Sequence, residues 1–151
     1  MPTYDLTQGS AGVPFIGLNK IYTISNSVDL NAMAVKPIST DILKVLNIPA
    51  KTFVQNVIVE VVTQSAATGL TATVGDGADA DGWDTAVDLE AAAGTATYAG
   101  FVLTEGTPNT VTDAYAGGKV YTAADTIDLV TTVNTVTTWG EIKVTAICAE
   151  L

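Results

Sequence analysis

Phe53-Val54-Gln55-Asn56-Val57-Ile58-Val59-Glu60-Val61-Val62-Thr63 is the stretch on which the fold turns. Eleven residues without glycine or proline carry six β-branched aliphatic side chains, which are stiff at χ1 and sit well on a pleated surface. In strict alternation Val57, Val59 and Val61 share one face. Val54, Ile58 and Val62 fall on the other, with Asn56 and Glu60. A strand apolar on both faces belongs in the middle of a sheet.

Outward from this strand, period-two patterning recurs between glycine, proline and asparagine breaks. Leu70, Ala72 and Val74 alternate with threonines up to Gly75-Asp76-Gly77. Asp41 to Leu46 forms a short apolar strand stopped by Asn47-Ile48-Pro49, and Val28 to Ala34 alternates as well. Further strands are expected at 97–103, 118–122 and 126–131. A last one at 140–149 points Ile142, Val144, Ala146 and Cys148 one way and Glu141, Lys143 and Thr145 the other. Leu89 to Gly94 is the best place for a single helical turn. The expectation is all-β: about eight strands in an antiparallel, jelly-roll-like sandwich over 20–151.

Chemically the chain is sparse. Its 151 residues contain no histidine and no arginine, which removes Ser-His-Asp and Cys-His catalysis. The single Cys148 allows no disulfide framework and no multi-cysteine zinc site. No glycine pattern of a nucleotide loop occurs, and no cofactor is expected. Six lysines against sixteen acids give a net charge of −10, so nucleic acid and anionic membranes are unexpected partners. No apolar run is long enough for a membrane span, and the N-terminus lacks the pattern of a signal peptide, so synthesis in a cytoplasm is expected. The charge is uneven: residues 53–118 hold nine acids and no lysine.

Part of that acidity is concentrated in Gly75-Asp76-Gly77-Ala78-Asp79-Ala80-Asp81-Gly82-Trp83-Asp84. Carboxylates two residues apart can converge on a hard cation, which makes Asp76, Asp79 and Asp81 the calcium candidates. The pattern is incomplete, since Gly77 stands where an acid is needed and Asp88 replaces the closing glutamate. The expected state is a metal-free acidic loop with glycines at positive φ and Trp83 tucked back as an apolar plug. A carboxylate pair drawn from this loop for glycoside hydrolysis would need burial and sugar-stacking aromatics. Cys148, in an alternating apolar strand, is expected to be a buried structural thiol.

The first nineteen residues are expected to form an extended arm. Gly9, Gly12, Pro14 and Gly17 break regular structure, yet Val13, Phe15, Ile16 and Leu18 are apolar. Two roles stand open for these four: folding back over the chain's own core, or docking on a neighbouring subunit. Trp139 is a further core-or-interface candidate. A mean hydropathy of +0.36 with 15% charged residues suggests surplus apolar surface of the kind oligomers bury.

The opening Met-Pro-Thr-Tyr-Asp-Leu-Thr, the segment Ile42 to Ala50 and the run Val74 to Trp83 resemble small head proteins of tailed phages. Together they cover about a fifth of the chain. The resemblance implies a capsid decoration, or cement, protein: a homotrimer on the head surface of the virion that binds the major capsid protein and stabilises the expanded shell. It brings no catalytic residues. Val13, Phe15, Ile16, Leu18 and Trp139 are then the candidate capsid or oligomer contacts. The alternatives are a phage tail-fibre module, which should show trimerising heptads that are missing here, and a carbohydrate-binding β module. The latter, possibly calcium-dependent, could draw only on Trp83, Trp139, Tyr98, Tyr115 and Tyr121 for stacking.

Overall fold

One extra residue decides how the central strand is used. The computed structural model describes residues 20–99, 114–115 and 117–151. Eleven strands occur among them: β1 (Ile21–Asp29), β2 (Ile42–Ile48), β3 (Thr52–Thr63), β4 (Ala66–Thr68), β5 (Thr71–Gly75), β6 (Asp84–Asp88), β7 (Ala96–Ala99), β8 (Lys119–Tyr121), β9 (Asp125–Thr132), β10 (Thr135–Thr138) and β11 (Glu141–Glu150). Along the β3–β11 pair, Ile147 faces Asn56 but Cys148 faces Val54, so Gln55 bulges out of register. A bulge inverts the alternation beyond it. Val54 is therefore turned inward and buried with Val57, Val59 and Val61, not outward with Ile58 and Val62 as strict alternation places it. The inner face of β3 thus gains a fourth apolar side chain, each contributing about 1.5–3 kcal/mol on full burial.

The central position expected of this strand is observed. The first sheet runs β1-β11-β3-β7, and β8 pairs with the other end of the same β3 edge. The second sheet runs β2-β9-β5-β6, and β10 pairs with β4 in a short ribbon. Every pairing is antiparallel. If β7 and β8 are counted as one strand and the ribbon is set aside, eight principal strands remain. Their order is first-eighth-third-sixth in one sheet and second-seventh-fourth-fifth in the other, the nested Greek-key arrangement of a jelly roll. Between the sheets, Val57, Val59, Ile142, Val144 and Ala146 face Leu46, Ile48, Ala72, Val74, Ile127 and Leu129 in one cluster. The alternation of β11 is as expected, with Ile142, Val144, Ala146 and Cys148 buried.

Two local expectations are corrected. The alternation at Val28 to Ala34 is not one strand, because β1 stops at Asp29. The Asp29 carboxylate accepts hydrogen bonds from the amides of Asn31 (2.8 Å) and Ala32 (3.0 Å), a local cap that turns the chain. Leu89 to Gly94 is not helical. Leu89 is fully buried, its amide donates to Leu70 O at 3.1 Å, and the segment closes as a turn from Ala92 to Thr95 with Gly94 at φ +86°. Six residues cannot offset helix nucleation against that anchoring. The strand expected at 97–103 is observed from Ala96 to Ala99, and residues 100–103 lie outside the described residues.

Candidate functional site

The acidic loop leaves β5 at Gly75 and returns at once. The Asp76 and Gly82 amides both donate to Asp79 O, at 2.9 and 3.3 Å, and the Trp83 amide donates to Val74 O at 2.9 Å. A Cβ on Gly75 would lie 2.1 Å from Asp79 O, and one on Gly82 would lie 2.3 Å from the Tyr115 ring. Close approach is what requires glycine at both positions. The positive φ expected of the loop glycines occurs instead at Gly69, Gly94, Gly117 and Gly118.

Asp76 is the centre of the loop. Its side chain is fully buried beneath β8 of the opposite sheet. Oδ1 accepts from the amides of Ala78 (2.9 Å) and Asp79 (3.2 Å) and from Tyr115 OH (3.1 Å). Oδ2 accepts from Lys119 Nζ (2.5 Å) and Tyr121 OH (2.8 Å). Lys119 also donates to Tyr115 OH at 2.7 Å and lies 4.0 Å from the centre of the Tyr115 ring. Trp83 Nε1 donates to Tyr121 OH at 3.2 Å, and the Trp83 and Tyr115 rings meet edge-to-face at 5.4 Å.

The electrostatics follow from these contacts. Burial pushes the Asp76 carboxyl upward, but the hydrogen bonds from Lys119, Tyr121 and the Ala78 amide, with the lysine charge, hold it below its usual value. Burial works against the Lys119 ammonium too, and its bonds to Asp76 and Tyr115 outweigh it, raising the lysine. Burial, reinforced by the nearby Asp76 carboxylate, drives the Tyr121 hydroxyl well above the ordinary phenol value. With five donors on two oxygens, Asp76 has no coordination position left for a cation. The arrangement pins one sheet to the other.

The other two calcium candidates lie outside this pin. Asp81 is exposed, and its carboxyl is raised first by a hydrogen bond with Asp79. Among the described residues no group of three or more acidic or cysteine side chains is placed to hold a metal ion. Asp128 is 5% exposed on β9, opposite Lys44 and Gly75, and its Oδ1 has no hydrogen-bond partner.

Trp83 is 0% exposed, which makes it the plug expected of it and removes it as a stacking platform. Tyr121 is buried, Trp139 is half-buried against the core, and of the five candidate aromatics only Tyr98 is more than half exposed. Cys148 is buried on the inner face of β11, and burial pushes its thiol up to about 11. Val13, Phe15, Ile16 and Leu18 lie outside the described residues. A shallow groove of about 580 Å³ runs between β1 and β2, lined in part by Val28, Met33, Ile42 and Leu43.

Lys119, Tyr115 and Tyr121 are the participants that sequence reasoning missed. A signal existed: Lys119 is the only cation between Lys51 and Lys143, and it stands between two tyrosines beside the Gly117-Gly118 turn.

No protein-family model matches the sequence, and no curated protein matches it. Three solved structures match its fold. A chain of the cyanophage Pam1 capsid asymmetric unit is 20% identical, with a TM-score of 0.63 over 100% of both chains. A chain in the capsid of Ralstonia phage GP4 is 14% identical, with a TM-score of 0.60 over 87% of this chain and 85% of that one. A chain in the acid-stable capsid of Helicobacter pylori bacteriophage KHP30 is 13% identical, with a TM-score of 0.56 over 87% of each. At these identities the likeness establishes a shared fold.

Proposed function

We propose that this chain is a structural protein of a tailed-phage head, a decoration protein that binds the assembled shell as a trimer and stabilises its expanded form. The observation that carries the proposal is the fold likeness over 100% of both chains to a component of one phage capsid. Chains from two further phage capsids share the fold over 85–87% of their length. The major capsid protein is the proposed partner and the virion surface the proposed location.

The chemistry of the chain agrees with a mechanical role. Without histidine or arginine it lacks the groups most often used for proton transfer and oxyanion stabilisation near neutral pH. Among the described residues the polar constellation centred on Asp76 is saturated internally and joins the two sheets. A rigid sandwich of this kind suits a clamp, which must transmit load between neighbours without deforming. Val13, Phe15, Ile16, Leu18 and Trp139 are the proposed contacts with the shell or with other copies. Three arms acting together would turn weak single contacts into durable attachment.

Two measurements test the proposal. Light scattering on the purified chain is expected to return the mass of a trimer, and a strictly monomeric chain both in solution and on shells would remove trimeric attachment. In co-sedimentation with expanded head shells lacking the protein, the full chain is expected to saturate at a fixed ratio to capsid protein. Deleting residues 1–19 should abolish most of that binding. A truncated chain that saturates shells equally well overturns the role of the arm.

A further inference from the structure

The acidic loop contains a chemical liability twice over. Where glycine follows aspartate, the glycine backbone nitrogen can attack the aspartate Cγ, because no Cβ stands in the way. The N–Cγ bond forms, a carboxyl oxygen leaves with hydrogen as water, and a succinimide ring results. Water then adds back to one of the two ring carbonyls. Attack at Cγ restores aspartate, whereas attack at the backbone carbonyl breaks the original peptide bond and leaves isoaspartate. Water leaves once and enters once, and no oxidant or cofactor takes part. The chain has two such pairs, Asp76-Gly77 and Asp81-Gly82, and no Asn-Gly.

We propose that Asp81 is a site of spontaneous isoaspartate formation in the folded protein, and that the fold protects Asp76 from the same reaction. At Asp76 the attack is blocked in two ways. Its side chain is fully buried, and five donors fix both oxygens, so Cγ cannot swing toward the Gly77 nitrogen. The ion pair with Lys119 also keeps it ionised, and a carboxylate has no hydroxyl to lose. Asp81 differs on both counts. It is exposed, and the Asp79 carboxyl beside it favours the neutral acid through a hydrogen bond and through its charge. The Gly82 amide is held by a long bond to Asp79 O, 3.3 Å against the 2.9 Å made by the Asp76 and Trp83 amides. Rotation about the Asp81–Gly82 link therefore frees the nitrogen without disturbing either sheet.

The neighbouring acids are less exposed to this chemistry. Asp79 and Asp84 precede Ala80 and Thr85, whose Cβ atoms obstruct the attack. At position 82 that remedy is closed, because a Cβ would lie 2.3 Å from the Tyr115 ring. Packing against Tyr115 thus imposes the glycine that makes Asp81 reactive. Isoaspartate carries the chain through Cβ and Cγ and adds one carbon to the backbone, in a loop tied down on both sides of Asp81. Thr73 Oγ1 donates to Ala80 O at 2.7 Å, the Tyr115 amide donates to Gly82 O at 2.8 Å, and the Trp83 amide donates to Val74 O at 2.9 Å. The extra carbon must displace one of these ties. Since Tyr115 also donates to Asp76, ageing at Asp81 reaches the pin between the sheets. None of this depends on attachment to a phage head.

Ageing the folded, full-length chain in heavy-oxygen water tests the assignment. Each succinimide opening inserts one heavy oxygen, which tandem mass spectrometry places on a residue after digestion in ordinary water. An endoproteinase that cuts before aspartate but not before isoaspartate separates the two products. After weeks at physiological temperature and pH, label and isoaspartate at residue 81 are expected to exceed those at residue 76 several-fold. In urea, with both pairs released from the fold, the two sites should label at similar rates. D81E, whose longer side chain must close a larger ring, should lose the signal at residue 81 while melting like the wild type. Absence of label at Asp81 in the folded chain, equal or greater label at Asp76, a ratio that urea leaves unchanged, or a signal that survives in D81E would overturn the proposal.

Discussion

Asp76 takes five donors on two oxygens, and its removal or that of a partner should be felt throughout the molecule. Lys119→Met leaves a buried carboxylate without its counter-charge, and breaking a buried pair costs about 3 kcal/mol or more. The expected result in urea is a lower midpoint with an unchanged slope. The pH dependence follows from the sign of each shift. The Asp76 carboxyl is lowered in the fold, so its contribution is complete above the ordinary carboxylate value and is lost as pH falls through the folded one. Lys119 is raised, so its contribution persists through neutral pH and is lost only as pH rises through its folded value. The deficit of K119M relative to the wild type should therefore be largest near neutral pH and shrink as pH falls, because burial with less to oppose it raises Asp76 and protonation removes the uncompensated charge. At Cys148, a thiol held at about 11 in the core should resist alkylating reagents in the native state and react fully in denaturant. Only part of this was legible in the sequence. The plug at Trp83 and the buried thiol follow from local pattern. The role of Asp76 does not, because its partners arrive from 39 to 45 residues away and only tertiary pairing brings them together.

Among the elements, the two long strands β3 and β11 were readable because one buried face imposes period two on ten or more residues. The Gln55 bulge was not. A polar residue in an alternating run looks like any outward position until its partner strand fixes the register, and the inward turn of Val54 depends on it. Short elements such as β4, β6 and β10 were missed for a related reason: three to five residues carry too little periodicity, and their pairing is set by neighbours. The entry to β11 supplies a test. Gly140 donates its amide to the Ser65 hydroxyl at 2.9 Å and accepts from the Leu30 amide at 3.0 Å. A Cβ there would lie 2.0 Å from Thr63 O. Gly140→Ala must push two backbones apart, and a loss of about 3 kcal/mol is expected by thermal or urea unfolding. A melting temperature within a degree of the wild type would show that this corner is not held as described.

At the scale of the whole molecule, composition foresaw a β-sandwich, and the structure supplies the jelly-roll order of its strands. What composition could not supply is the division of the surface. The acid-rich loop from Asp76 to Glu90 belongs to the second sheet, and the apolar row from Ile21 to Val120 crosses the first. A net charge of −10 thus coexists with a narrow apolar row at one end of the first sheet. As proposed above, three copies of the protein together fasten onto a phage head. That attachment is tested most directly by imaging expanded heads, stripped of the protein and then incubated with it, by cryo-electron microscopy. Jelly-roll density in groups of three is expected at three-fold and quasi-three-fold positions, on shells that then withstand heating better than stripped ones. Heads that bind no copies, or single copies scattered without symmetry and no gain in shell stability, would contradict it.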